Sequence, residues 1–529
     1  MRNQEPEAET LSRDEAAAVV RHAVRASARR AVAAGGGPAA ASRYAILIPL
    51  RGGDALAYHT ATQAFARWGA EDLAVWSDVE AGRRDVSDPE LGPFLDGGFV
   101  VSSINDERDE IERQLDASRF DPSGMVLTVA PTMGCNFACA YCFQGLLKPT
   151  NRINEEVMDA LVAYLDRKTR TLSRLHIAWY GGEPLMHKQG IYAMSDRIIP
   201  ICRKNNCHYS AFIVTNGYFL DLKTAQELCA RGVGTCQVTL DGSADSHDGR
   251  RHLTSGKPTY ERICRNLDEV VEHTDLMISI RVNIDSANAP DAVRLLDDLQ
   301  ARRLNRRGTL GVYFAPVEAI TNACASCDED SFAKTDYGQL EADLYRAAFE
   351  RGLSALPRPP LFHGNCGAVR RNGLVLTPSG DLHKCWDTVM QPELRIGSIH
   401  DVEEAEASPI SKAWLDWSPF KNAVCRECPI LPSCAGACAF KFVHPDQTQG
   451  EGGALPCPSW KFNLAERMFL RAEKLGVVTA DEWDPVLSPT RAEAALKTGR
   501  RHDFDTIAEA SAAAAAPVAP APGLTLPAE

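Results

Sequence analysis

Between residues 125 and 316 six short apolar runs alternate with helical stretches, and this alternation constrains the fold more than any other feature of the chain. The runs are MVLTVAP (125–131), LHIAWY (175–180), SAFIVTN (210–216), CQVTLD (236–241), MISIRVNI (277–284) and GVYFAP (311–316). Between them lie segments such as NEEVMDALVAYLDRK (154–168), LKTAQELCARG (222–232) and APDAVRLLDDLQARR (289–303). Apolar residues recur there at three- and four-residue steps, the signature of amphipathic helices. Six successive strand–helix units predict a parallel α/β sheet, because parallel neighbours need crossover helices. The sheet is expected to be open or a partial (β/α)6 TIM-like barrel. In such barrels chemistry gathers where strands end and loops begin, so functional motifs are expected after the strands, on one rim.

The flanks read differently. Residues 1–42 are rich in Ala, Arg and Gly and predict a disordered or helical extension; Glu5, Glu7, Glu9, Asp14 and Glu15 weigh against a transit peptide. From Tyr44, YAILIPL and ALAYHTAT predict a β-hairpin, followed by helices near 70–82 and 88–97, giving a small α+β module over 43–120. The barrel is assigned to 121–330, a cysteine-rich domain to 331–475, and a C-terminal extension to 476–529 that ends in a disordered Ala/Pro tail. A length of 529 residues calls for several cores, and 24% charged with 45% hydrophobic residues suits a folded globular chain. The net charge of −13 weighs against a nucleic-acid partner. No apolar run reaches the roughly 18 residues of a membrane span and no secretory signal is visible, so a cytoplasmic protein without membrane association is expected. Seventeen cysteines in such a chain point to metal binding or catalysis rather than disulfides.

The first strand leads into Pro131-Thr132-Met133-Gly134-Cys135-Asn136-Phe137-Ala138-Cys139-Ala140-Tyr141-Cys142-Phe143. Three soft thiolates within eight residues can wrap one corner of an iron–sulfur cubane and leave one iron open. Structural zinc would want a fourth ligand nearby, and no Cys or His follows until His176. The second strand ends in Tyr180-Gly181-Gly182-Glu183-Pro184, where two glycines permit close backbone approach and a carboxylate suits an ammonium. Thr215-Asn216-Gly217 follows the third strand. The fourth ends in Thr239-Leu240-Asp241-Gly242, with Arg250 and Arg251 beyond, and the fifth carries Arg281 and Asn283. Asp241-Gly242 could equally be a simple turn, and Asn283 a satisfied strand-end polar group. Beyond the barrel come Cys366, Cys385, Cys425, Cys428, Cys434, Cys438 and Cys457, enough for two further clusters or two zinc sites. Cys202, Cys207, Cys229, Cys236 and Cys264 lack such spacing and are expected in the core.

The CxxxCxxC loop with Tyr141 and Phe143 resembles the radical S-adenosylmethionine (SAM) superfamily, and the later cysteines resemble the SPASM extension of its peptide- and protein-modifying, sulfatase-maturase-like members. The resemblance implies that Cys135, Cys139 and Cys142 hold a [4Fe–4S] cluster whose open iron binds SAM. One electron then cleaves SAM to a radical that abstracts hydrogen. By the same resemblance Tyr141, Gly181, Gly182, Glu183, Pro184, Thr239, Arg251 and Asn283 surround SAM. Thr239 and Arg251 fall to its carboxylate, a pairing suited to a guanidinium. Cys425, Cys428, Cys434 and Cys457 would hold an outer auxiliary cluster, and Cys366, Cys385 and Cys438 an inner one. The inner cluster's fourth ligand is Cys324, Cys327 or none. Sulfatase-maturing relatives carry an Asp directly after the second SPASM cysteine; here the order is Cys385-Trp386-Asp387, which makes Asp387 the candidate base. The implied partners are a peptide or protein substrate and an electron donor such as flavodoxin or ferredoxin, and the implied reaction is an oxidative crosslink. Formylglycine formation and a non-catalytic iron–sulfur protein are the alternatives. The module at 43–120 loosely resembles leader-peptide-binding units.

Overall fold

Five short strands open the architecture: β1 (Ala40–Ala41), β2 (Ala45–Pro49), β3 (Ala55–His59), β4 (Phe65–Trp68) and β5 (Val100–Val101). They belong to a computed structural model that describes residues 36–142, 144–145, 149–318, 331–332, 334–354, 359, 361–364, 366–444 and 457–484. The expected hairpin is the first half of an antiparallel meander, β2–β3–β4, and β1 pairs with β5. Helices follow at Ala70–Glu80 and Gly92–Gly97, and a third at Ile104–Arg119 was not foreseen. That helix is dense in charge, and only Ile111 and Leu115 mark its apolar buried face, so its periodicity is faint. Ser103 caps it by accepting from the Asp106 amide at 3.2 Å.

The six expected strands form: β6 (Gly124–Val129), β7 (Arg174–Trp179), β8 (His208–Thr215), β9 (Val233–Thr239), β10 (Met277–Ile284) and β11 (Leu310–Pro316). All pair in parallel and in chain order, and β11 ends the row, so the sheet is a partial barrel. Period-two alternation sends Leu127, Val129, Ile177, Trp179, Ile213, Val238 and Ile280 outward onto the crossover helices. There they meet Leu161, Leu165, Ile191, Ile198, Leu228, Leu267 and Leu296, buried on the inner faces of those helices. Each such side chain removed from water contributes roughly 1.5–3 kcal/mol. The alternate residues, among them Gln237, Thr239, Arg281 and Asn283, point into the barrel.

The sheet does not stop at residue 330. Strand β12 (Gly373–Leu376) pairs in parallel with β6, and β13 (Asp381–His383) and β14 (Gly397–Ser398) extend the row antiparallel to nine strands. The cysteine-rich region thus continues the barrel's sheet from the β6 side. These strands are four, three and two residues long, too short for alternation to betray them. Most of the N-terminal extension, the Ala/Pro tail, Phe143, Cys324 and Cys327 lie outside the described residues. Among the described residues no helix is long and apolar enough to cross a membrane.

Candidate active site at the strand-end rim

A cavity of about 480 Å³ opens where the barrel strands end. Its lining joins the ends of all six strands and the segments after them to a turn from beyond the barrel: Cys135, Cys139 and Cys142 after β6, Gly181 and Gly182 after β7, Asn216 after β8, Arg251 beyond β9, Asn283 of β10, Val317 and Glu318 after β11, and Trp386 with Asp387. The rim expected from the sequence is therefore a single concave surface.

The two glycines are explained by the cysteine loop. Gly182 N donates to Thr132 O at 3.1 Å and Glu183 N to Gly134 O at 2.8 Å, so the turn lies flush on the backbone that enters Cys135. A Cβ on Gly181, whose φ is +135°, would meet Thr132 O at 2.3 Å, and one on Gly182 would meet Gly134 O at 2.3 Å. Glu183 and Pro184 are buried beneath this turn, outside the cavity lining. The Glu183 carboxylate accepts from Leu185 N (2.9 Å), Thr215 Oγ1 (2.7 Å) and Asn216 N (2.7 Å). It ties the β7 turn to the β8 turn. Burial pushes its pKa up to about 6, with those three donors pulling the other way. Asn216 in turn donates from Nδ2 to Asn136 Oδ1 at 2.9 Å, bracing the cysteine loop.

On the opposite wall Tyr141 donates to Asp241 Oδ2 and accepts from Arg251 Nη1. Asp241 is fully buried and takes Asn283 N at 3.1 Å, while Asn283 Nδ2 reaches Tyr141 Oη at 3.3 Å. Asn288 closes the network by donating to Asp241 O (2.6 Å) and Asn283 O (2.7 Å). Asp241 is thus more than a turn residue, and Asn283 is both cavity-lining and satisfied. No sequence signal marked Asn288. Arg251 is buried, its Nε has no hydrogen-bond partner among the described residues, and its guanidinium lies 5.7 Å from the Phe137 ring centre. Thr239 lines the cavity from β9.

Cys385 and Asp387 flank Trp386, whose ring meets Tyr180 edge-on at 4.3 Å. Cys385 Sγ lies 3.7 Å from Asp387 Oδ2. Burial raises the Asp387 pKa, against the pull of Cys385, Lys441 and Arg281. Burial also holds the Cys385 thiol well above its usual range, and Asp387, Cys366 and Cys438 push it further. Cys434 is raised likewise by burial, then by Cys457, Cys425 and Cys428, with Lys461 opposing. Cys385 is thus influenced by Cys366 and Cys438, and Cys434 by Cys457, Cys425 and Cys428. Among the described residues no three His, Cys, Asp or Glu side chains converge as one metal ion requires. Cys202, Cys207, Cys236 and Cys264 are buried in the core and Cys229 is half-buried.

Residues 129–299 match the family model described as the radical SAM superfamily, and they form a radical SAM domain. The chain is 23% identical over 345 residues to the serine-type anaerobic sulfatase-maturating enzyme of Bacteroides thetaiotaomicron, which spans 58% of this chain and 80% of that enzyme. Among solved structures, native anSMEcpe with bound AdoMet aligns at a TM-score of 0.49 and 16% identity, covering 67% of this chain and 99% of its own. Streptococcus suis SuiB bound to the precursor peptide SuiA aligns at a TM-score of 0.45 and 12% identity, covering 78% and 97%.

Proposed function

We propose that this protein uses SAM to oxidise a residue of a ribosomally made peptide or protein, forming a crosslink. The observation carrying this reading is one cavity lined at once by three loop cysteines, by Arg251 with an unpartnered buried Nε, and by Asp387. The donor set fits the cofactors. Cys135, Cys139 and Cys142 would hold a [4Fe–4S] cluster through soft thiolates, and Arg251 and Thr239 would face the SAM carboxylate. Bound there, cluster and SAM supply the one-electron chemistry that removes a hydrogen atom from substrate.

The chain's own residues bind, orient and shield. Asp241 and Asn283 hold Tyr141 and Arg251 in fixed positions, so little reorganisation is needed when an anion arrives. Phe137, Val214 and Val317 give the cavity apolar walls that exclude water. Asp387, its pKa raised by burial, is the group on this wall suited to accept a substrate proton. The two later cysteine sets would hold SPASM-type auxiliary clusters, with flavodoxin or ferredoxin as the external one-electron partner. Strand β4 ends its sheet, and its outer edge, unpaired by any strand among the described residues, suits an extended leader peptide.

A second reading is Ser or Cys oxidation to formylglycine. It is favoured by one observation: Asp387, though displaced by one residue from its place in such enzymes, still lines the cavity. Anaerobically reconstituted protein with SAM and dithionite should release 5′-deoxyadenosine, and absence of that product rejects the catalytic reading. With substrate peptide, a product lacking two hydrogens that ignores hydrazide reagents supports a crosslink. A hydrazide-reactive aldehyde supports formylglycine.

A further inference from the structure

Lys461 lies in the 3₁₀ turn Ser459–Phe462 and is only 5% exposed. Its Nζ stands 3.5 Å from Cys457 Sγ, and among the described residues no carboxylate forms an ion pair with it. Burying an ammonium costs several kcal/mol unless an anion compensates it. The compensating charge is thus the outer cysteine set itself. Cys428 and Cys434 pack with Ile430, Trp460, Leu464 and Met468 in one apolar cluster, where a charge acts at a lower dielectric than in water.

We infer that Lys461 is a built-in cation that raises the reduction potential of the iron–sulfur cluster held by Cys425, Cys428, Cys434 and Cys457. The inference rests on the auxiliary-cluster reading above. Reduction adds one electron, hence one negative charge, so a cation beside the sulfurs favours the reduced form over the oxidised one. Hydrogen bonding to the sulfurs and net charge are the protein's main controls on such potentials.

The test uses the full-length, anaerobically reconstituted protein in five forms: wild type, K461M, K461R, K461Q and C457A. Iron is counted per chain, and the clusters are followed by EPR during reductive titration with dithionite; C457A, lacking one outer ligand, identifies the outer signal. The expected result is a wild-type iron content near twelve, as three cubanes require. K461M and K461Q should keep that iron but show an about tenfold lower ratio of reduced to oxidised outer cluster at the wild-type midpoint, a fall of about 59 mV for one electron. K461R should retain the wild-type midpoint. An unchanged midpoint in both neutral variants with full iron overturns the inference while leaving the auxiliary clusters standing. Equal loss of about four irons in K461M, K461Q and K461R also overturns it, making Lys461 a packing residue. A wild-type content near four removes the auxiliary-cluster reading and this inference together.

Discussion

At the scale of single residues, Glu183 shows how a motif residue can serve a role its sequence setting does not announce. Two glycines and a carboxylate suggested a ligand-facing acid, but its partners Thr215 and Asn216 lie at the end of the next strand and meet it only in the fold. A pKa raised from 4.5 to about 6 means the folded state binds a proton more tightly than the unfolded one. The resulting stabilisation, about 2 kcal/mol, is full below about pH 4.5 and is lost as pH rises through about 6. E183Q lacks this titration, so its stability deficit against wild type should shrink between pH 4.5 and pH 7 in chemical denaturation. Residual destabilisation of about 1–3 kcal/mol is expected at pH 7, because Gln cannot satisfy all three donors. Asp387, a candidate from its place two residues after Cys385, lines the cavity. D387N should still release 5′-deoxyadenosine yet lose about 10²–10⁴-fold in product formation, read by mass spectrometry of the peptide.

At the scale of elements, the six barrel strands were readable because each is a long apolar run between helical stretches. The ends of β10 fell where expected, and most of the other ends shifted by one to three residues because neighbours, not local sequence, set where pairing stops. The cysteine loop depends on the glycine turn stacked against it. G182A would place a Cβ 2.3 Å from Gly134 O, and its loop should shift enough to lower iron retained per chain without unfolding the sheet, checked by iron assay and circular dichroism. A second turn, invisible to pattern reading, links the two later cysteine sets. Ala435, Gly436 and Ala437 have φ of +49°, +80° and +56°, so Cys434 and Cys438 are joined by three successive left-handed residues. Each alanine there costs about 1 kcal/mol. A435G should raise stability by about that amount. G436A should lower it, because its Cβ would sit 2.7 Å from Trp417 Cη2.

At the scale of the molecule, the N-terminal module is seated on the outer cysteine segment. Thr60 Oγ1 donates to Pro429 O at 2.6 Å, Ser433 Oγ donates to Thr60 O at 3.2 Å, and Arg43 pairs with Glu427. Ile46, Ile48 and Leu56 share an apolar cluster with Cys434, Met468 and Phe469, uniting segments from both ends of the described chain. I48A should cost about 2–5 kcal/mol. On gentle heating it should release iron bound by the outer set before iron bound at the barrel, followed by EPR of the remaining signals. Composition and spacing predicted a module here but not its seat, since such docking depends on residues hundreds of positions apart.

The pairing of β12 with β6 also bears on how the chain is made. When the ribosome has finished β6 to β11, one side of β6 still presents bare amides and carbonyls, and these wait until Gly373–Leu376 has emerged. So distant a closure is slow, and a nascent chain halted before it exposes a sticky margin to its neighbours. The loop that follows β6 carries Cys135, so cofactor loading late in synthesis would spare that loop from taking up iron while the strand beneath it is still half-paired.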